Sequence, residues 1–475
     1  MTDEGKISRR AALASGAGLM VLPSRVLGLG GSTAPNEKLN VGFIGIGSYG
    51  ARCLRELTSQ NIAAVCDVDW RPKPAGTNLV MAADVAANYP QAKRFDDWRV
   101  MLHEMDKQLD AVVVCSADHT HAVAAITAMK MGKHVYCEKP LAHSIGEVRA
   151  MMAAQRKYGK LAVQTGTQGH ASDDCRSMVE WIRDGAIGDV SEVVLFQKPR
   201  PGTGPEYYDR LKQVHNGVAV PKEVKWDLWL GPSPERPFHP MYLPLRWRDW
   251  TDFGTGILGD HGPHYFDVVE WALDLGWPET IEAETDAGYD PGDMWPREAT
   301  VRYRFPAKGK RPAVKVTWYG FKEPPAPKGW PAGKPLPEGG GMFLGSKGTI
   351  VYGPLFMGKP GEPLMYSPQP GAVPEPLVYL LPEDLNKSYK RPEKTIPRPK
   401  SNWLEWVEAA KTGRQPSADF LYGGRLTQIC LLGDIAIRQK GQILHFDAKK
   451  EKFTNSEAAN AMFHTPSRPG WGLPT

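Results

Sequence analysis

Cysteine is scarce: six residues in 475, and they lie too far apart for a disulfide framework or a zinc module. Cys66, Cys115 and Cys137 each end an apolar run of strand type, where a thiol behaves as a small hydrophobe. Charge of one sign is also scarce. The formal net charge is only +5, and Lys and Arg are scattered instead of forming a stripe, which excludes a nucleic-acid footprint. No His, Cys, Asp or Glu cluster has metal-ligand spacing, so no metal site is expected. Long hydrophobic runs are missing as well, and with them a stable membrane anchor. What remains is a chain too long for one ordinary core, expected to form two domains behind a targeting segment and to act on small molecules.

The targeting segment is residues 1–35. Lys6, Arg9 and Arg10 precede the apolar stretch Ala11 to Leu22, which is too short to span a bilayer. The pair Arg9-Arg10 after Ser8 resembles a twin-arginine export signal, read by a translocase that accepts folded proteins, and implies an exported, periplasmic protein.

From residue 36 to 167, apolar strand-length runs alternate with helical patterns, the mark of a parallel sheet with crossover helices. Strands are expected at Leu39 to Ile44, Ile62 to Cys66, Ala111 to Cys115, His134 to Cys137 and Leu161 to Gln164, with a weaker one near Arg94. Residues 168–447 change rhythm. A helix, Asp173 to Asp184, and a strand, Val190 to Gln197, precede long Pro- and Gly-rich connections, and the alternation in "EATVRYRF", "AVKVTWYG" and "GTIVYG" points to a mainly antiparallel open sheet. "KEPPAPKGWPAGKPLPEGGG" is expected to be a surface loop, and 448–475 a C-terminal tail. The fold class is therefore α/β, with an N-terminal Rossmann domain and a C-terminal α/β domain. Several of the fifteen tryptophans fall between 226 and 277, as either a sugar-stacking surface or an aromatic core.

"NVGFIGIGSYGARCL" places Gly45-x-Gly47-x-x-Gly50 between a strand and a helix. The turn is tight, the backbone must approach a pyrophosphate, and the helix N-terminus offers N–H groups to it. Ser48 and Tyr49 complete the turn. Asp67 ends the second strand, where a carboxylate accepts from ribose hydroxyls and repels a 2'-phosphate. NAD is favoured over NADP, against which only the nearby Arg71 speaks.

Two further stretches bear on chemistry. In "YCEKPLAHS", Glu138-Lys139-Pro140 follows a strand, at the sheet edge where ligands bind. In "GTGILGDHGPHYFDVVEW", a helix is expected to start near Pro263, with Asp260 and His264 meeting at its mouth. His119 and His121 follow the Cys115 strand near the expected nicotinamide, and His121 is a further candidate for the cofactor. His170, Asp227, Trp229, Arg246 and Trp247 are candidates for contacts to a pyranose.

The glycine fingerprint, the later Glu-Lys-Pro, and Asp260-x-Gly262-x-His264 followed by Asp267 together resemble the Gfo/Idh/MocA family of oxidoreductases, from about residue 36 to 447. The resemblance implies a Lys, Asp, His set at the substrate, carried here by Lys139, Asp260 and His264, and a second domain whose open sheet serves homo-oligomerisation. The motifs say little about substrate, and the one expected is a small carbohydrate: a sugar, polyol or glycoside. On physical grounds, His264, whose type titrates near neutrality, is expected to take a hydroxyl proton, Asp260 to orient the imidazole, and Lys139 to hydrogen-bond the substrate oxygen; the lysine and histidine roles could be exchanged. The chemistry expected is hydride transfer at a carbinol carbon, with a tightly bound, recycled cofactor. The alternatives are a glycosidase or epimerase working through a transient keto-sugar, and a non-catalytic sugar-binding protein that retains the fold.

Overall fold

The computed structural model describes residues 37–199, 214, 216–356 and 377–474. The expected export signal, with Arg9 and Arg10, lies outside the described residues.

Six strands form the first sheet: β1 Asn40–Ile44, β2 Asn61–Cys66, β3 Lys93–Phe95, β4 Ala111–Val114, β5 His134–Glu138 and β6 Val163–Gly166. Their order is β3-β2-β1-β4-β5-β6, all parallel, the doubly wound arrangement of a dinucleotide-binding domain. β4 is Ala-Val-Val-Val and buried throughout, as a strand covered on both faces must be. Among the crossover helices are α1 Tyr49–Glu56, α2 His121–Lys130 and α3 Ile145–Lys157. A capping box closes the N-terminus of α3: Ser144 accepts from the Glu147 backbone while the Glu147 side chain accepts from that of Ser144.

After helix α4 (Asp173–Arg183) the chain builds a second sheet of nine strands. These are β7 Val190–Gln197, β8 Thr280–Thr285, β9 Ala299–Phe305, β10 Val314–Gly320, β11 Gly339–Gly345, β12 Thr349–Tyr352, β13 Val378–Leu381, β14 Leu444–Asp447 and β15 Lys452–Phe453. The order is β13-β12-β11-β7-β10-β9-β8-β14-β15, antiparallel except for the β7–β10 pair. The expected surface loop therefore ends in a strand: the glycines at 339–341 sit in β11, where Tyr265, Leu195 and Tyr352 approach so closely that a side chain would collide. The rest of that loop lies on the outer face of the sheet, burying Leu336 beside Val194, Phe196 and Met342.

Three long helices follow: α5 Gly256–Leu273 on the second sheet, α6 Asn402–Thr412 on the first, and α7 Phe420–Arg438, which packs against β6 of the first sheet and β8 and β9 of the second. α5 begins seven residues before the Pro263 start expected from sequence, and Pro263 lies inside it. The reason is tertiary. α5 is buried along most of its length, and Gly262 lets α7 so close that an added Cβ would stand 2.7 Å from Cys430 Sγ. Packing on all sides offsets the one helix hydrogen bond that proline cannot donate. α6 returns late in sequence to the Rossmann domain, where Trp403 and Trp406 pack beside Tyr136 of β5. The C-terminal segment also packs back: Trp471 is buried against Trp98, and the Arg99 guanidinium lies 4.0 Å from the Trp471 ring centroid.

Candidate active site

The glycine turn has the geometry that its motif demands. Gly45 has φ +79°, and a Cβ there would meet the Cys115–Ser116 backbone at 2.7–2.8 Å. A Cβ on Gly50 would lie 2.1 Å from the Gly45 carbonyl oxygen, so the third glycine brings α1 onto β1. At Gly47 a Cβ would make only ordinary van der Waals contact, at 3.5 Å from Val80 and Ala82. Ser48, at φ 51°, precedes α1 and, like Tyr49, lines the cleft above the turn. Asp67 Oδ2 accepts from the backbone of Ile46 (2.8 Å) and Gly47 (3.2 Å), fixing the carboxylate beside the turn. Burial raises the Asp67 pKa from the ordinary carboxylate value, and these backbone donors oppose the rise. Arg71 is held by Asp69 through Nε–Oδ1 (2.7 Å) and a second contact of 2.6 Å, so its charge is already matched. The residues present thus fit NAD, and a 2'-phosphate would meet Asp67 without an uncommitted arginine.

The far wall of this cleft is aromatic, built from the segment 226–253 of the second domain. Trp229 is buried and stacks on Trp226 at 4.8 Å, and Trp247 and Arg248 join it in the lining. Each such buried aromatic contributes about 2 kcal/mol. His119 locks the segment down: Nδ1 lies 3.2 Å from the Phe253 carbonyl and Nε2 3.0 Å from that of Trp229. Burial lowers its pKa to about 3.

Beside the cleft, Lys139 Nζ meets Asp260 Oδ1 at 2.5 Å and the Asp260 carbonyl at 3.0 Å. The Lys139-Pro140 bond is cis. Arg248 Nε lies 3.4 Å from the other Asp260 oxygen and so connects this pair to the cleft. Burial opposes ionisation of Asp260, but the Lys139 and Arg248 cations hold its carboxyl well below the usual range. His264, one turn along α5, stacks on Phe356 with centroids 3.8 Å apart, and its Nδ1 has no hydrogen-bond partner among the described residues. Burial, with the Lys139 charge acting in the same direction, keeps its imidazole neutral far below the ordinary histidine range. The three residues come together, but differently paired than expected: Asp260 serves Lys139, not His264.

Other sequence candidates lie elsewhere. Glu138 points away from the cleft, accepting from Gln168 Nε2 (2.9 Å) and Cys53 Sγ (3.3 Å), and burial raises it to about 7. Cys53, Cys115 and Glu138 form a buried hydrogen-bonding set, and burial raises both thiols above their ordinary value, against the thiolate that a metal requires. His121 supports the Lys139 turn from below, its Nδ1 2.9 Å from the Pro140 carbonyl and Nε2 2.9 Å from that of Ser116. His170 is buried against Asp267 and Trp271, and Asp227 is exposed and bound to Arg468, so neither lines the dinucleotide cleft. Arg246 is exposed; its neighbour but one, Arg248, faces the cleft instead. Nothing in "RWRD" distinguishes the two arginines, because the 3-10 turn Arg246–Asp249 decides which one points inward.

Residues 39–167 match "Oxidoreductase family, NAD-binding Rossmann fold", and residues 201–307 and 384–473 match "Oxidoreductase family, C-terminal alpha/beta domain", the two halves of one family. The chain belongs to the Gfo/Idh/MocA oxidoreductase family. Among curated relatives it is similar to inositol 2-dehydrogenase/D-chiro-inositol 3-dehydrogenase of Lactiplantibacillus plantarum, 29% identical over 40% of this chain and 51% of the relative. Inositol 2-dehydrogenase 2 of Saccharopolyspora erythraea is 33% identical over 32% of this chain and 42% of its own. The chain thus spans about half the length of the curated relatives it matches. The fold is also that of scyllo-inositol dehydrogenase from Lactobacillus casei, solved with NAD(H) and scyllo-inositol, with TM-score 0.52, 15% identity and coverage of 86% and 99%.

Proposed function

We propose that this protein is an NAD-dependent dehydrogenase of a sugar or polyol, reacting at a secondary carbinol. The observation that carries the reading is the Lys139–Asp260 pair at 2.5 Å, near a neutral, buried His264 and joined to the cofactor cleft through Arg248. The glycine turn and the N-terminus of α1 would hold the pyrophosphate, and Asp67 the ribose. When bound, NAD supplies the hydride acceptor. His264, whose Nδ1 has no partner among the described residues, is the group placed to accept the hydroxyl proton, and its depressed pKa must rise toward the operating pH when substrate binds. Lys139 donates a hydrogen bond to the same oxygen and steadies its growing negative charge, and Asp260 fixes the direction of Nζ. The inositol dehydrogenase names of the curated relatives support a cyclic polyol or pyranose as substrate.

The finer reading is that NAD leaves the cell already bound and is recycled by a second substrate or by a redox-neutral route. It is supported by Arg9-Arg10 and by the aromatic wall that lies over the cleft. Association of copies through the nine-stranded sheet belongs to the same proposal.

Purified protein, incubated with inositols, aldoses and methyl glycosides, tests both readings. NADH formation with added NAD supports dehydrogenation. Deuterium entering at C2 of recovered sugar in deuterated water, without NADH accumulation, supports the redox-neutral route. Absence of either, in protein that binds NAD, would sink the enzymatic reading. Loss of cofactor on simple dilution would sink the recycling one.

A further inference from the structure

A second cleft opens at the opposite end of α5, ten residues and so about 15 Å of helix from Asp260. It is lined by His170, Arg183, Glu270, Trp271, Tyr422 and Arg425. Its floor is built, not incidental. Asp267 Oδ1 accepts from Tyr422 Oη at 2.6 Å and holds His170 Nδ1 at 2.7 Å, while the His170 ring stacks on Trp271 at 3.9 Å. Arg183 donates to the Trp271 carbonyl at 2.6 Å, and Arg425 Nε stands 2.8 Å from Glu270 Oε1. His170 is 1% exposed, yet its Nε2 has no hydrogen-bond partner among the described residues. A buried ring nitrogen left over in this way normally has a partner.

We propose that this cleft is a second, non-catalytic binding site for a neutral polyhydroxy ligand, a pyranose or cyclic polyol. The formal charges around it, Arg183, Arg425 and Lys308 against Glu270, Asp274 and Asp267, cancel, and burial lifts Glu270 to about 7, so that carboxyl can donate as well as accept near neutrality. Adjacent hydroxyls likewise both donate and accept. They can bridge a carboxylate and a guanidinium a few ångströms apart, reach the free His170 nitrogen, and lay their C–H face on Trp271. Neither Lys139 nor the dinucleotide turn takes part, so the site stands whether or not the dehydrogenase reading holds.

The test is a titration of the full chain, and of its Lys139→Ala and Glu270→Gln forms, with myo-inositol and methyl β-glucoside, following the His170 ring proton resonances. The expected result is a saturable shift in the unaltered chain and in Lys139→Ala, weakened by about tenfold or more in Glu270→Gln. Arg425→Ala, at a half-exposed position, is expected to weaken the shift in the same way in protein that still melts cooperatively. NAD reduction at low substrate should be the same in Glu270→Gln as in the unaltered chain. A shift abolished by Lys139→Ala, or one kept in both Glu270→Gln and Arg425→Ala, would overturn the proposal. So would displacement of the sugar by inorganic phosphate or by a simple amine.

Discussion

His264 and His170 make an instructive pair. Both are buried and both stack flat on one aromatic ring, Phe356 at 3.8 Å and Trp271 at 3.9 Å; His264 belongs to α5 and His170 packs against it. Their aspartates differ. Asp267 holds His170 directly at 2.7 Å, whereas Asp260, four residues before His264, turns its carboxylate to Lys139 and Arg248. A histidine anchored through Nδ1 is a structural post with one nitrogen to offer. A histidine whose neighbouring carboxylate is spent on a lysine is held neutral by burial, and its Nδ1 has no partner among the described residues. The position of each carboxylate, not the presence of a His, separates the two roles.

The strongest way to break this contrast is to remove each ring. His264→Ala should lower kcat/KM on the preferred polyol by about 10²–10⁴ with little change in melting temperature, the range for a positioned acid-base group. His170→Ala should leave catalysis within a few-fold of normal. Equal rate losses in steady-state assays would erase the distinction.

The aspartates come next. Asp260→Asn should cost about 10²-fold in kcat, because Lys139 loses the charge that directs it. Asp267→Asn should instead destabilise the fold by about 1–3 kcal/mol in denaturant titrations, through its hydrogen bonds to Tyr422 and His170.

Acidification sharpens the comparison further. A histidine whose folded pKa is depressed binds a proton more readily once unfolded, so stability is lost as pH falls below the unfolded value near 6.5. For His121, lowered to about 4 by burial, that loss at pH 5 amounts to about 2 kcal/mol. It should vanish in His121→Asn when the two proteins are melted side by side at pH 7.5 and pH 5. The His264 ring protons, by the same logic, should not titrate between pH 8 and pH 5, and a midpoint near 6.5 would contradict its burial. The smallest effect expected is that of Phe356→Leu, about 0.5–1.5 kcal/mol of lost stacking in a thermal melt.

Much of this was legible in advance. The parallel sheet followed from apolar runs such as Ala111–Val114, and the strand Val190–Gln197 was read with the boundaries observed. The glycine turn and Asp67 were legible because backbone sterics at Gly45 and Gly50 leave no other residue type a place. Illegible were the strand at Gly339–Gly345, hidden among turn-forming glycines, and the late return of α6 to the first sheet. Local pattern cannot report a strand whose side chains are absent because its neighbours need the space.

Legible in the sequence alone were the cofactor turn, the parallel character of the first sheet, and the residue types of Lys139, Asp260 and His264, all capable of acid-base work. These depend on short-range sterics and on residue chemistry, which a linear string carries. Only the tertiary structure decided that Asp260 pairs with Lys139, that Arg248 and not Arg246 faces the cleft, and that His170 belongs to another cavity. Each of those outcomes depends on which elements pack together across more than a hundred residues of chain, and electrostatic pairing follows that packing.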